Sequence, residues 1–313
     1  TEGNHVQTDG PPPPVAPDVI NRDDAGRATV RASRVAEPIS IDGLLDEAFY
    51  RATSSIPDLI QSVPDVGATP TETTEAWVAF DAENIYVAAR LWESAPEIDW
   101  VANEMRRDGP MIKLNDNFGV FLDTYCDRRN AVGFYVTPVG GFTDLQMINE
   151  GNPNFDWNPV WEVRTGRFDG GWTVEMAIPF KSLRYRPGSD QAWGIQMRRF
   201  IARKNEWSHL TFLPLSVAGA GPPAIMRISM YGTVVGIEAP PPSRNLDIKP
   251  YAISGLRTDR TADPDISNER QADAGLDLKY GITANLTADV TFNTDFAQVE
   301  ADEQQVNLTR FSL

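Results

Sequence analysis

Apolar and polar residues alternate in short segments along most of the chain, which is typical of half-buried β-strands. Turn-forming stretches such as DAEN, DRRN and FDGG separate these segments. One short amphipathic helix is predicted over residues 44–53, after a turn at Asp42 and Gly43. Because strands recur about every ten residues without alternating helices, the pattern predicts an all-β fold, an antiparallel β-sandwich. The predicted strands are residues 75–81, 84–94, 117–125, 131–138, 160–168, 171–179, 192–203, 207–214 and 228–238.

Two proline-rich segments divide the chain. Residues 1–27 are polar and contain four consecutive prolines, so we predict a disordered arm or tether there. Residues 239–245 contain the second proline cluster and are predicted to be a linker. The sandwich is therefore placed at residues 28–238, and residues 246–313 are interpreted as a partial second β domain.

The second β domain contains two alternating runs, residues 272–282 and 286–296, that carry apolar or small side chains at even-numbered positions. Their length matches the roughly nine to eleven residues of a strand that crosses a bilayer. A hairpin in water with one packed face alternates in the same way. The pattern by itself leaves both interpretations open.

Charge and cysteine content exclude several classes of protein. The net charge of −16 and the pI of about 4.6 argue against binding to nucleic acid phosphates. Cys126 is the only cysteine, which excludes an intramolecular disulfide and a cysteine-based metal site. No apolar run is long enough for a transmembrane helix. The chain has neither an initiator Met nor a signal peptide, so we expect it to be processed or trimmed.

Catalytic motifs are missing from the sequence. The two histidines, His5 and His209, are too far apart for a local metal-binding motif, and no nucleophile elbow, phosphate loop or metalloprotease helix occurs. We therefore predict a protein that is not an enzyme. A glycoside hydrolase with two carboxyl groups about 5–10 Å apart is a third and lower-ranked class.

Aromatic residues cluster in the stretch NFDWNPVWEV, which contains Trp157 and Trp161. Flat aromatic faces stack on the C–H surfaces of sugars, and neighbouring polar groups such as Asp156 and Asn158 can orient the sugar hydroxyls. Packing in the core is the alternative, and we favour it for Trp161 because it lies in a predicted strand. The predicted ligand-binding residues are Trp157, Asp156, Asn158 and Trp161.

Four aspartates surround the predicted hairpin over residues 117–138. Oxygen-rich loops at strand ends can bind Ca²⁺. The same residues also form turns, which is the simpler interpretation. The possible calcium ligands are Asp116, Asp123, Asp127 and Asp144.

Several framework segments resemble the family 9 carbohydrate-binding module-like domain found at the front of large bacterial envelope proteins. They include ISIDGLLDEAFYRA, AWVAFDAENIYVAARLWES, WEVRTGRFDGGWTVEMAIPFKSLRY and WGIQMRRFIARKNE. The segment LDLKYGITANLTADVTFNTDFAQVEADEQQVNLTRFSL resembles the opening of the domain of unknown function that follows in those proteins, which is expected to form an outer-membrane β-barrel.

This resemblance implies a β-sandwich and, from the sugar-binding members, aromatic residues that clasp a saccharide while Ca²⁺ supports the loops. It also implies a location in the bacterial periplasm or cell envelope, next to an outer-membrane barrel. Our leading hypothesis is a non-catalytic recognition or docking module with a saccharide ligand. The alternative is a structural accessory subunit on the periplasmic side of a larger membrane complex, respiratory or photosynthetic. The remaining strands of a barrel are not in this sequence, so we expect either a truncated barrel protein or a shortened relative.

Overall fold

The strands of the larger part of the molecule form two sheets. The computed structural model describes residues 9–57, 59–218, 222–241, 246–259, 266–283 and 286–293. The chain divides into two compact units, Thr1–Pro242 and Ser243–Leu313. In the first unit the strands are β1 (Ile20–Arg22), β2 (Ala28–Arg31), β3 (Ser33–Arg34), β4 (Ile56–Pro57), β5 (Ile60–Val63), β6 (Thr74–Phe80), β7 (Asn84–Trp92), β8 (Asn117–Asp123), β9 (Ala131–Val136), β10 (Phe142–Met147), β11 (Glu162–Phe168), β12 (Gly171–Pro179), β13 (Gly188–Ile201), β14 (Glu206–His209) and β15 (Gly232–Ala239).

The helices within the described ranges are short. Two are α-helices, α1 (Ala48–Ala52) and α2 (Leu215–Ala218). The 3₁₀ turns are Glu97–Asp99, Ile112–Leu114, Phe180–Ser182, Ala202–Lys204, Pro222–Met226 and Ile228–Met230. The predicted single helix over residues 44–53 is thus present, but it begins only at Ala48.

Strand pairing gives a nine-stranded and a six-stranded sheet among the described residues. The first has the order β1-β2-β15-β13-β8-β9-β10, with β14 joining β13 to β5. The second has the order β11-β12-β7-β6-β3, with β4 beside β6. All pairs are antiparallel except β15 with β2 and β3 with β6. Apolar side chains from both sheets meet in one core, so the predicted all-β sandwich is confirmed.

The central strands are buried on both faces. In β12 the residues from Gly171 to Ile178 are all buried, which explains the nearly continuous apolar run there. On the outer side of the six-stranded sheet, Ile39 and Tyr50 cover Trp77 and Tyr86. Further apolar side chains cover the outer side of the nine-stranded sheet, so that each sheet packs on two sides.

Residues 9–27 correct the prediction of a disordered arm. Strand β1 pairs with β2 in antiparallel register, with Ile20 opposite Val30. The Thr29 hydroxyl donates a hydrogen bond of 2.6 Å to the carbonyl oxygen of Pro11. Proline lacks an N–H group but keeps its carbonyl acceptor, so a proline-rich segment can still bind to a sheet. Composition did not reveal these acceptors; residues 1–8 of the predicted arm lie outside the described residues.

The second unit, taken by itself, is an antiparallel meander of β16 (Leu246–Asp259), β17 (Ile266–Thr283) and β18 (Leu286–Phe292). The register places Ile248, Leu278 and Val290 in one row across the three strands. Ile248 and Val290 are exposed, so their row belongs to an apolar face that is open to solvent within this unit. Hairpin pairing between the two alternating runs is observed as far as Phe292, and residues 294–296 lie outside the described residues. In the described ranges, no helix combines the length and apolar character needed to span a membrane.

Candidate functional site

A cleft of about 600 Å³ lies at the edge strand β11. Its walls come from segments that are distant in sequence: the chain before α1, the start of β7, the start of β10 and the end of β12. Aromatic, aliphatic and polar side chains are mixed along it. The lining residues are Pro38, Ile39, Ile41, Asn84, Tyr86, Phe142, Val160, Trp161, Glu162, Val163, Arg164, Ala177 and Pro179.

Trp161 forms the aromatic surface of the cleft. Its half-buried ring meets the ring of Phe134 at 4.9 Å between centroids and that of Phe142 at 5.2 Å, both edge-to-face. The indole Nε1–H donates a hydrogen bond of 3.0 Å to Asp144 Oδ2. Because the N–H group is already bound to protein, the ring offers the cleft mainly its apolar surface.

The polar rim of the cleft comes largely from β11. Glu162 and Arg164 are two residues apart and therefore lie on the same face of this strand. Arg164 Nη2 is 3.8 Å from Glu162 Oε1, and both side chains are more than half exposed (60% and 56%). Such an ion pair contributes little to stability, so both groups remain accessible to a ligand. Asn84 adds an amide group, whose nitrogen lies 3.3 Å from the Tyr86 hydroxyl.

Asp144 and Arg107 stand directly behind Trp161. Arg107 Nη2 donates to Asp144 Oδ2 at 2.8 Å and to the Pro159 carbonyl oxygen at 3.3 Å. Its guanidinium carbon lies 5.3 Å from the centre of the Phe142 ring. Burial raises the pKa of Asp144, while the hydrogen bond from Trp161 and the charge of Arg107 oppose that change. The ionised form of Asp144 is therefore stabilised by Trp161 and Arg107.

A buried carboxylate also holds the wall formed by residues 38–41. Glu175 Oε2 accepts hydrogen bonds from the backbone N–H groups of Gly43 at 2.8 Å and Asp42 at 3.1 Å, and its Oε1 accepts one from the Tyr50 hydroxyl at 2.8 Å. Burial, with a contribution from the nearby Glu47 charge, raises the pKa of Glu175 to about 7. Near neutral pH this group is therefore only partly ionised.

The structure places only one of the four predicted ligand-binding residues in the lining of the cleft. Trp161 lines the cleft, and it also packs partly buried against the hydrophobic core, because it precedes β11 and only part of its ring is covered. Trp157, which we preferred, packs partly buried against Phe134 at 5.8 Å and lies outside the cleft lining. Asp156 and Asn158 are exposed beside it. Both tryptophan rings therefore contact Phe134, but only Trp161 lines the cleft.

The four aspartates do not form a calcium site in the structure. Asp116 accepts hydrogen bonds from the backbone N–H groups of Ala202 at 2.6 Å and Val101 at 3.0 Å. Asp123 likewise accepts one from Arg128 at 2.8 Å. Throughout the described part of the chain, no group of three or more His, Cys, Asp or Glu residues could hold a metal ion. Of the predicted set, Asp116, Asp123 and Asp127 accept hydrogen bonds from backbone N–H groups in turns and loops, whereas Asp144 in β10 accepts them from the side chains of Trp161 and Arg107.

His209 lies in the interior and not in the cleft. Its Nδ1 is 2.8 Å from the Ser62 hydroxyl oxygen, and both residues are almost completely buried. Burial, reinforced by the nearby charge of Arg198, lowers the pKa of His209 to about 3. The imidazole is therefore neutral near pH 7 and shielded from any dissolved substrate.

Sequence reasoning missed most of the cleft. Phe142 lies in β10, which was not among the predicted strands, and Tyr86 and Asn84 lie at the start of β7. No motif connects these positions along the sequence. The only available signal was the pair of tryptophans four residues apart.

Comparison with solved structures shows the same fold. The crystal structure of a candidate carbohydrate-binding protein from Bacteroides uniformis ATCC 8492 is similar with a TM-score of 0.51 and 11% identity, covering 66% of this chain and 98% of that one. A family 9 carbohydrate-binding module from Caldicellulosiruptor kristjanssonii, solved with glucose, gives a TM-score of 0.46 and 16% identity over 66% of this chain and 94% of that one. The same module solved with cellotriose gives a TM-score of 0.44 and 16% identity, covering 66% of this chain and 92% of that one. The Bacteroides structure, whose score is the highest of these, supports the β-sandwich fold alone.

Comparison of sequences finds one family match, which spans the second unit. Residues 241–313 match the family described as Domain of unknown function (DUF5916). The match includes residues 276–313, the segment LDLKYGITANLTADVTFNTDFAQVEADEQQVNLTRFSL. No curated protein matches the chain.

Proposed function

We propose that the sandwich is a non-catalytic saccharide-binding module and that the cleft at β11 is its binding site. The observation that carries this proposal is Trp161, whose apolar ring surface lies beside the polar groups of Glu162 and Arg164. A sugar ring has the same two kinds of surface, with C–H groups on its faces and hydroxyls around its edge. Stacking and hydrogen bonding can therefore act together in this cleft.

The size of the cleft agrees with a small ligand. Its volume of about 600 Å³ lies within the range of about 300–1,000 Å³ typical of ligand pockets. Further support comes from the fold, because the Bacteroides uniformis protein of similar fold is described as a candidate carbohydrate-binding protein. We also propose a periplasmic location, which the resemblance to bacterial envelope proteins supports.

Hydrolysis of the saccharide is disfavoured by the carboxylates available. Among the described residues that line the cleft, Glu162 is the only acidic one. Glycosidases use two carboxyl groups that flank the scissile bond. The cleft as built is suited to binding.

The proposal is tested by titrating the protein with glucose, cello-oligosaccharides and other soluble glycans in a calorimeter. Trp161→Ala should weaken binding about tenfold, because an aromatic contact contributes about 0.5–1.5 kcal/mol beyond the buried area. Trp92→Ala is the matched control, since Trp92 is 38% exposed and packs edge-to-face on Phe168 outside the cleft. Binding to no glycan at millimolar concentration, or equal losses in both variants, would contradict the proposal.

A second candidate function is docking as an accessory subunit on a larger membrane complex. It is favoured by exposed apolar side chains in the two loops that hydrogen-bond to β10, one through Asp108 and the other through Asn154. Exposed apolar side chains in neighbouring loops are available for a protein contact. Co-purification with a complex after mild detergent extraction would support this role, and a partner-free monomer would count against it. The exposed side chains are Met105, Met111, Leu114, Ile148, Phe155 and Val160.

A further inference from the structure

We propose that Asp144 and Arg107 are positioning residues that fix the Trp161 ring in the orientation the cleft presents to a saccharide. This inference rests on the proposed function of the cleft. It assigns a role to two side chains that are absent from the cleft lining.

One oxygen atom joins the two positioning residues to the tryptophan. Asp144 Oδ2 accepts both the Trp161 Nε1–H at 3.0 Å and the Arg107 Nη2–H at 2.8 Å. Asp144 is directly opposite Phe134 in the pairing of β10 with β9, so both side chains lie on the same face of the sheet. The Phe134 ring contacts Trp161 at 4.9 Å. The indole is thus held at its N–H group and along its ring by neighbouring residues of one sheet.

Arg107 connects this carboxylate to the loop that carries Trp161. Its Nη2 also donates to the carbonyl oxygen of Pro159, two residues before Trp161. The guanidinium lies over the Phe142 ring, and that ring in turn contacts Trp161 at 5.2 Å. Arg107 therefore contacts β10 and the loop at the same time, and its positive charge compensates the buried Asp144 carboxylate.

Trp161 needs such support because the β-ladder does not hold it. Strand β11 begins at Glu162, and its pairing with β12 begins with Glu162 opposite Ala177. A tryptophan without a fixed N–H partner would have to be ordered when the ligand binds. Immobilising one side chain on binding weakens affinity by about two- to tenfold.

The decisive experiment follows the Trp161 side chain in protein without ligand. The eight tryptophan indoles are labelled with ¹⁵N, and the Trp161 signal is identified by its loss in Trp161→Phe. In Asp144→Ala we expect a lower heteronuclear NOE and faster hydrogen exchange at Trp161 Nε1–H, with the Trp92 signal unchanged. Asp144→Asn should restore the wild-type values, because the amide oxygen can accept both hydrogen bonds.

Binding measurements then connect the order of the ring to function. Saccharide affinity should fall about two- to tenfold in Asp144→Ala and be retained in Asp144→Asn. In a Trp161→Ala background, Asp144→Ala should cause no further loss, because the residue acts through the tryptophan. An additional loss in that background would overturn the inference.

The two proposals can fail separately. If the wild-type protein binds no saccharide, the proposed function is wrong, and the NMR comparison still decides whether Asp144 orders Trp161. Unchanged order of Trp161 Nε1–H in Asp144→Ala would overturn the positioning role. If that variant does not fold, Arg107→Lys replaces it, because Arg107 is partly exposed and lysine cannot reproduce the guanidinium contacts. Unchanged order in Arg107→Lys would then overturn the role.

Discussion

Glu175 should make the stability of the sandwich depend on pH near neutrality. The carboxyl group is buried on β12 beneath the segment that forms one wall of the cleft, and burial raises its pKa from 4.5 to about 7. The folded protein therefore keeps this proton to a higher pH than the unfolded chain does. As a result, the free energy of unfolding falls as the pH rises from about 4.5 through 7.

The magnitude follows from the difference between the two pKa values. At about 1.4 kcal/mol per pKa unit, the change from 4.5 to about 7 corresponds to about 3 kcal/mol of stability lost above neutral pH. Glu175→Gln removes the ionisation but keeps the shape. The amide oxygen can accept from the N–H groups of Asp42 and Gly43, and the amide nitrogen can donate to the Tyr50 hydroxyl. We expect the variant to be about 3 kcal/mol more stable than wild type at pH 8.5 and nearly equal to it at pH 4.5.

Urea unfolding at both pH values measures this difference. All eight tryptophans lie in the first unit, so their fluorescence reports the sandwich alone. Glu162→Gln, on the neighbouring strand β11 and exposed, is the matched control and should change stability by less than about 0.5 kcal/mol at either pH. If the wild-type protein and Glu175→Gln lose stability in parallel between the two pH values, the reasoning about Glu175 is refuted.

Three further predictions concern the framework. Gly43→Ala should lower the thermal midpoint and reduce the free energy of unfolding by more than about 1 kcal/mol, because φ is +87° and a Cβ would lie 2.7 Å from the Thr165 carbonyl carbon. Gly140→Ala is the control, since φ there is +82° but the nearest atom would be 3.8 Å away. Equal losses in the two variants would contradict the role of the close contact. Trp193→Ala should cost about 3–5 kcal/mol in urea unfolding, because the ring is fully buried between the sheets, and a loss below about 1 kcal/mol would contradict that placement. His209→Gln should lose less stability than wild type as the pH falls from 6.5 towards 3. Burial lowers the pKa of His209, so the unfolded chain takes up this proton at a higher pH than the folded protein does, and the wild type is destabilised. Identical acid unfolding curves for the two proteins would contradict this role of His209.

Local pattern was a good guide to the framework and a poor one to the edges. The strands from β6 to β9 were recognised because their alternation or apolar run records burial directly. Strand β10 was missed, since FTDLQM is short and its buried polar residues interrupt the apolar pattern. The arm over residues 9–27 was misjudged because its carbonyl groups find partners on β1 and β2 that composition does not reveal.

The candidate site shows the same limit. The sequence marked Trp157 and Trp161 as a pair, but it did not show which of the two lines the cleft, since exposure depends on what packs against each ring. Asp144 was selected as a possible calcium ligand, and its actual partners are Arg107 and Trp161. The sequence alone does not show whether an aspartate binds a metal ion or the guanidinium of an arginine.

By itself, the sequence determined the all-β class, the net negative charge and the aromatic cluster, because composition and strand periodicity can be read from the residues along the chain. Only the tertiary structure decided which tryptophan faces the cleft and which carboxylate holds it. Those features arise where the start of β10, the loop before β11 and the loop carrying Arg107 meet at the edges of the two sheets. Long-range strand pairing brings these edges together, and hydrogen bonds between distant segments then fix the side chains.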